Sequence, residues 1–200
     1  MHIRRFLFLL ISVTLALVVW EGLIRAGRLS PYFLPTPGKV WIRFEKALED
    51  GSLVYHSMVT LGEVLAGLTT GVCAAALLGY LLAKSNALER LLTPYIVASQ
   101  AIPVVAIAPL LIIWFGPGLF SKVLICALIV FFPVLINTIV GMRSVPNELR
   151  ELMRSLRATR WQTFLKLELP AALPILLGGL RIGATLSVIG AVVGELVGSD

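Results

Sequence analysis

Residues able to carry out chemistry are few in this chain of 200 residues, and they are scattered. The two histidines, His2 and His56, stand apart from each other and from the two cysteines, Cys73 and Cys126, so no Cys/His spacing offers ligands to a metal. Both cysteines lie inside apolar runs and read as small apolar filler. No glycine-rich loop ending in Lys-Ser/Thr is present to cradle a nucleotide phosphate, so the chain does not hydrolyse ATP by that route. No two carboxylates stand one helical turn apart inside an apolar run, as an intramembrane lipid-modifying enzyme would need. No residue is therefore assigned to catalysis, to a metal or to a cofactor. What remains is a small set of polar side chains inside otherwise apolar stretches: Gln100, Asn137 and Arg181. Such groups are costly in hydrocarbon and mark either a solute path or hydrogen bonds between helices. Glu63 and Glu195, near the ends of their stretches, read as interfacial.

These readings presuppose membrane helices, and composition supplies them. Hydrophobic residues make up 58% of the chain, only 14% are charged, and the mean hydropathy is +0.94. Soluble domains carry about a quarter charged residues. Five stretches approach the ~20 apolar residues a span needs: 6–24, 59–83, 91–115, 119–141 and 174–197. The first follows Arg4 and Arg5, but no small-residue cleavage site succeeds it, and it reads as an uncleaved helix rather than a signal peptide. The expected fold is an all-α polytopic membrane protein, divided into residues 1–58 (first helix and outer segment) and 59–200 (core).

The net charge of +6 comes from basic residues lying mostly between the apolar stretches. No basic stripe interleaved with aromatics suggests nucleic acid. With the N-terminus inside, ten Lys/Arg fall on inner segments and six on outer ones, which favours a cytoplasmic N-terminus. In the outer segment, Leu34-Pro35-Thr36-Pro37 should be extended, and Val40, Trp41, Phe44 and Leu48 recur near helical spacing, as in a short surface helix. Glycines four apart (Gly67/Gly71, Gly179/Gly183, Gly190/Gly194/Gly198) predict close helix packing.

The segment 144–174 is the longest and most charged inner loop. Leu149, Leu152, Met153 and Leu156 form one apolar stripe on a short helix introduced by Pro146. Thr159 followed by Gln162 is a capping-box pattern, so a second helix should begin there, carry Trp161, Phe164, Leu165 and Leu167, and end before Pro170. From amphipathicity alone this protrusion fits either a groove on a partner protein or the lipid headgroups.

Glu151-Leu152-Met153, Arg157 to Phe164 and Leu169-Pro170-Ala171-Ala172-Leu173-Pro174 resemble the Glu-Ala-Ala loop of binding-protein-dependent ABC transporter permeases. Leu34 to Pro37, Ile102 to Leu110 with Trp114-Phe115-Gly116, and Phe131-Phe132-Pro133 with Asn137-Thr138 match other segments of that family in order, so the resemblance covers nearly the whole chain. The branch that looks nearest is the nitrate/sulfonate/taurine type. The resemblance implies that the loop docks on a separate ATP-hydrolysing subunit through Glu151, Leu152, Leu156, Arg157, Trp161 and Phe164. It also implies an extracytoplasmic solute-binding protein, a second permease copy and a small organic solute. That solute could be a sulfonate or taurine, nitrate, or a vitamin or precursor such as riboflavin or hydroxymethylpyrimidine. An ion-coupled secondary transporter is the alternative, but no inverted repeat or buried acidic ion site supports it. The chain departs from the family pattern in three places. Leu152 and Met153 replace the usual alanines. Arg157 replaces the usual turn glycine, where a left-handed backbone costs roughly 1 kcal/mol or more. The chain stops at Asp200, where members continue to a further helix, so a sixth span is expected to be missing.

Overall fold

The computed structural model describes residues 2–27 and 34–198, and among these the chain is α-helical with no strand. Arg28 and the terminal Ser199 and Asp200, which entered the charge and terminus expectations, lie outside the described residues. The chain divides into two compact units, Met1–Met58 and Val59–Asp200.

In the first unit, α1 (His2–Arg25) covers the first expected span. The indole of Trp20 donates to the carbonyl of Pro35 at 3.1 Å, tying α1 to the extended proline segment. Pro37 opens α2 (Pro37–Glu49) at a position where its missing N–H leaves no bond unmade, and the Thr36 hydroxyl accepts from the Lys39 amide. Val40, Trp41, Phe44 and Leu48 lie exposed on α2, as a surface helix requires. The Ser52 amide and hydroxyl lie beside the Asp50 carboxylate at the start of α3 (Ser52–Lys84), and the hydrogen bond from Ser52 holds that carboxyl below its ordinary range.

In the second unit, α3 is followed by α4 (Asn86–Gln100), α5 (Val104–Phe115), α6 (Leu119–Arg143), α7 (Asn147–Ser155), α8 (Arg160–Thr163), a π turn (Phe164–Glu168) and α9 (Leu169–Val197). The central element is α6. Glycines on both neighbours face it. A Cβ on Gly71 of α3 would stand 2.7 Å from the Ala127 carbonyl oxygen, and one on Gly190 of α9 would stand 2.9 Å from the Cα of Cys126. A Cβ on Gly67 would also run into Cys126, so this small side chain lies between two glycine stripes. Hydrocarbon gives helices no hydrophobic drive to associate, and close backbone approach supplies the packing instead. Ala75, Leu82, Val130, Val134 and Leu135 form one buried cluster, and Ala108, Leu111 and Ile125 form another.

Among the described residues, three helices are long and apolar enough to cross a membrane: Ser52–Lys84, Leu119–Arg143 and Arg160–Val197. The expected third span, 91–115, is not one rod. It is α4 and α5, bent by 91° at 101–103, and the pair makes up to a fourth span. Pro103 explains the break, because it has no N–H to donate and forces Ile102 out of the helical region. Nor does the helix begun at Thr159 end before Pro170. It runs on through Pro170 as the 38-residue stretch Arg160–Val197. The π turn makes this workable: the Leu169 amide reaches back to the Phe164 carbonyl, and the inserted register step precedes the residue that has no donor.

Candidate coupling hairpin and translocation path

The two short helices between α6 and α9 form a hairpin whose turn is built from local backbone bonds. Arg157 takes the left-handed conformation, φ 50°, the one non-glycine residue to do so among those described. Around it the Ala158 amide donates to Met153 O at 3.0 Å and the Arg157 amide to Arg154 O at 2.9 Å. This 6→1 and 5→2 pair satisfies the last carbonyls of α7 as a Schellman motif does, with arginine where glycine is the usual residue. The second helix starts on the predicted capping box: Gln162 N–H donates to the Thr159 hydroxyl and Thr159 N–H to the Gln162 carbonyl oxygen. Replacing Arg157 by glycine should relieve about 1 kcal/mol of backbone strain. Hydrogen exchange at the Ala158 amide should then slow by about fivefold. An unchanged rate would show that the strain is absorbed elsewhere.

The tip of this hairpin is apolar and uncovered. Leu156 is 68% exposed and Trp161 67%, with Leu149 and Leu152 also exposed on the same stripe; Glu151 is exposed beside them. Arg157 is exposed at the turn. Phe164 is placed differently. It is half-buried, its ring meeting Tyr80 of α3 edge-on at 5.3 Å and stacking on Trp161 at 5.6 Å.

The base of the hairpin is fixed to two helices, α6 and α3. The guanidinium of Arg150 donates to the Met142 carbonyl at 2.6 Å, at the end of α6. The carboxylate of Glu168, 1% exposed and inside the π turn, pairs with Lys84 at the end of α3. Nearby, Arg143 of α6 pairs with Glu89 of α4 at 2.5 Å and donates to Asn86 at 3.2 Å. Sequence reading missed Lys84, Tyr80, Arg150 and Glu168. The available signal was charge: Lys84 stands at the end of an apolar stretch, and a charge there needs a partner.

Among the described residues, no hydrogen bond or ion pair joins the three candidate path residues to one another. Gln100 is exposed at the end of α4 and donates to its own helix at Ile96 O, 3.4 Å. It lines a cavity of about 390 Å³ at the α4–α5 break, with Pro103, Phe132 and Pro133. Asn137 donates to Pro133 O at 2.8 Å and lies against Gly179, where an added Cβ would come within 2.6 Å of its own. Arg181 is exposed on α9. Glu63, expected at the interface, is instead 1% exposed within the bundle, 3.2 Å from the Lys122 ammonium of α6. Glu195 accepts from the Thr60 hydroxyl at 2.5 Å. Glu195 is half-buried near the end of α9, where Gly194 lets that helix close on α6 at Lys122.

Residues 71–200 match the family model for the binding-protein-dependent transport system inner membrane component. The chain is 48% identical over 187 residues to the riboflavin transport system permease protein of Chloroflexus aurantiacus, covering 94% of this chain and 70% of that protein. It is 38% identical over 185 residues to the formylaminopyrimidine transport permease protein of Halalkalibacterium halodurans, covering 92% and 73%. It is 35% identical over 184 residues to the putative aliphatic sulfonates transport permease protein of Bacillus subtilis, covering 92% and 67%. With apolar helices long enough to span, a π-linked hairpin between the last two of them, and these relatives, the chain belongs to the binding-protein-dependent ABC transporter permeases, as a multi-pass inner-membrane protein of the branch that includes the sulfonate, taurine and nitrate systems.

Proposed function

We propose that this permease carries a flat heteroaromatic solute, a vitamin or vitamin precursor, delivered by a separate binding protein and driven by a separate ATPase subunit on which the hairpin docks. One observation supports the docking above others: an uncovered apolar tip on a base held to α3 and α6, continuous with a membrane helix. A floppy loop would lose a push from the ATPase as local motion. A hairpin fixed at Glu168 and running unbroken into α9 passes it to the bundle. Glu151, Leu152, Leu156, Arg157 and Trp161 form the contact surface, and Phe164 supports it from inside. The hairpin then faces the cytoplasm and, with four crossings before it (6–24, 59–83, 91–115 and 119–141), so does the N-terminus.

The solute class rests on similarity to the riboflavin and formylaminopyrimidine permeases and on the path itself, where the α4–α5 break offers aromatic and proline surface beside Gln100. Asn137 and Arg181 are the further polar groups assigned to this route. Two copies of the chain enclose the path.

The test is affinity purification of the tagged chain from its own membranes. An ATPase and a solute-binding protein should come with it, and the binding protein should take riboflavin or an aminopyrimidine in preference to taurine or nitrate. A binding protein selective for a small anion would overturn the solute class, and recovery without any ATPase would overturn the docking.

A further inference from the structure

A cavity of about 700 Å³ lies beside the hairpin, between α3 and the Arg160–Val197 helix. Its walls are Ala76 and Leu77 on one side and Leu176 on the other, and its mouth carries Arg160 and Trp161. We propose that this groove holds an acyl chain of an anionic phospholipid from the leaflet on the hairpin side, with the phosphate on Arg160. The groove lies apart from the α4–α5 break and shares only its mouth, at Trp161, with the docking surface; the naming of that leaflet as cytoplasmic rests on the function proposed above.

Dimensions argue for this occupant. From Leu176 to Arg160 the helix rises about 24 Å. One leaflet, headgroups included, is about 20–22 Å deep. With Leu176 near the bilayer midplane, Arg160 reaches the phosphates and Trp161 the interfacial level that indoles favour. Spread over that length, the cavity has a cross-section of only about 30 Å². A groove this narrow and apolar suits a hydrocarbon chain.

Charge and polarity agree. Arg160 has no ion-pair partner among the described residues. Inside, the hydroxyl of Thr138 is already used, donating to Val134 O at 2.7 Å. A solute with several polar edges would find few partners there, and an acyl chain needs none. A guanidinium offers a phosphate two parallel N–H bonds, which a choline-capped zwitterion meets less favourably than a net anion.

The full chain, purified in mild detergent, would be incubated with phosphatidylglycerol or phosphatidylcholine and examined by native mass spectrometry. Retention of phosphatidylglycerol over phosphatidylcholine is expected. Arg160→Ala should weaken it about tenfold, the loss of one charge-assisted contact. Ala76→Phe, which fills the groove without touching the charge, should abolish it. An independent reading needs no variant. Cys73 lines the groove and is exposed while Cys126 is buried, so maleimide reports on Cys73 alone. Phosphatidylglycerol should slow that labelling and phosphatidylcholine should not. Equal protection by both lipids would overturn the proposal, as would retention unaffected by both variants. Protection that rises with protein concentration in the absence of lipid would show that a second copy covers the groove, and would also overturn it. Co-purifying ATPase, scored on the same samples, tests the docking separately.

Discussion

Leu156→Asp should leave the chain inserted and folded but strip it of its ATPase. Leu156 is 68% exposed at the end of α7 and supports nothing inside the chain, so a polar replacement has little to destabilise. In a partner groove the same side chain would contribute about 1.5–3 kcal/mol by burial, and an unpaired carboxylate in its place adds a desolvation cost of several kcal/mol. Together these exceed two to three powers of ten in affinity. The ATPase should vanish from the purified sample, and transport should fall to background. Leu156→Ala gives the graded control, because it removes the burial without adding the charge, and it should retain about a tenth of the binding or somewhat less. The pair of variants also separates the two occupants that the amphipathic stripe allows. A hairpin lying on headgroups would float free of lipid in the aspartate variant without changing how much ATPase comes down with the chain. Wild-type levels of ATPase on Leu156→Asp would therefore assign the stripe to lipid.

How legible the molecule was depended on the range of the interaction. The hairpin's local grammar could be read from neighbours in sequence. Thr159 and Gln162 announce a helix start because both halves of the capping box lie within one turn, and Arg157 occupies the left-handed position because the sequence leaves no glycine for it. The glycine stripes also showed that helices meet, since a residue without a side chain inside an apolar helix has little other purpose than approach. Breaks and bridges were harder. Three prolines in 91–115 look alike on paper, yet Pro94 and Pro109 sit inside helices while Pro103 turns the chain by 91°. Pro170 looked like a stop and is traversed, because a π turn a few residues earlier shifts the register. The ion pairs were the least legible of all. Lys84 and Glu168 are 84 positions apart, and nothing local to either says that the other will be there.

This chain is a permease and not an enzyme, with ATP hydrolysis in another subunit, so its own buried charges have to be explained by structure or by motion. Lys122→Met should be among its most damaging single changes. The Glu63 carboxylate is 1% exposed, its nearest cation is the Lys122 ammonium at 3.2 Å, and its second oxygen has no hydrogen-bond partner. Removing the lysine strands that charge inside the bundle, which costs about 3–5 kcal/mol. In a chain of this size such a loss lowers the apparent melting temperature by roughly 10 °C or more. Glu63→Leu combined with Lys122→Met should recover most of it, since an incompletely hydrogen-bonded pair gives up little net stability when apolar groups of similar volume replace it. The measurement is thermal unfolding of both variants in the same detergent. A double variant as unstable as the single one would mean that Glu63 and Lys122 hold the bundle through packing rather than through charge. The recovered double variant then asks the functional question. Glu63 and Lys84 stand about 31 Å apart along α3, close to the hydrocarbon thickness, so one ion pair pins each end of the part of this helix that crosses the hydrocarbon, to α6 at Lys122 and to the π turn at Glu168. If the pair at Glu63 only staples the bundle, the stable double variant should transport normally. If α3 must let go of α6 during the cycle, replacing a breakable polar contact by permanent apolar packing should leave ATPase binding intact and slow transport.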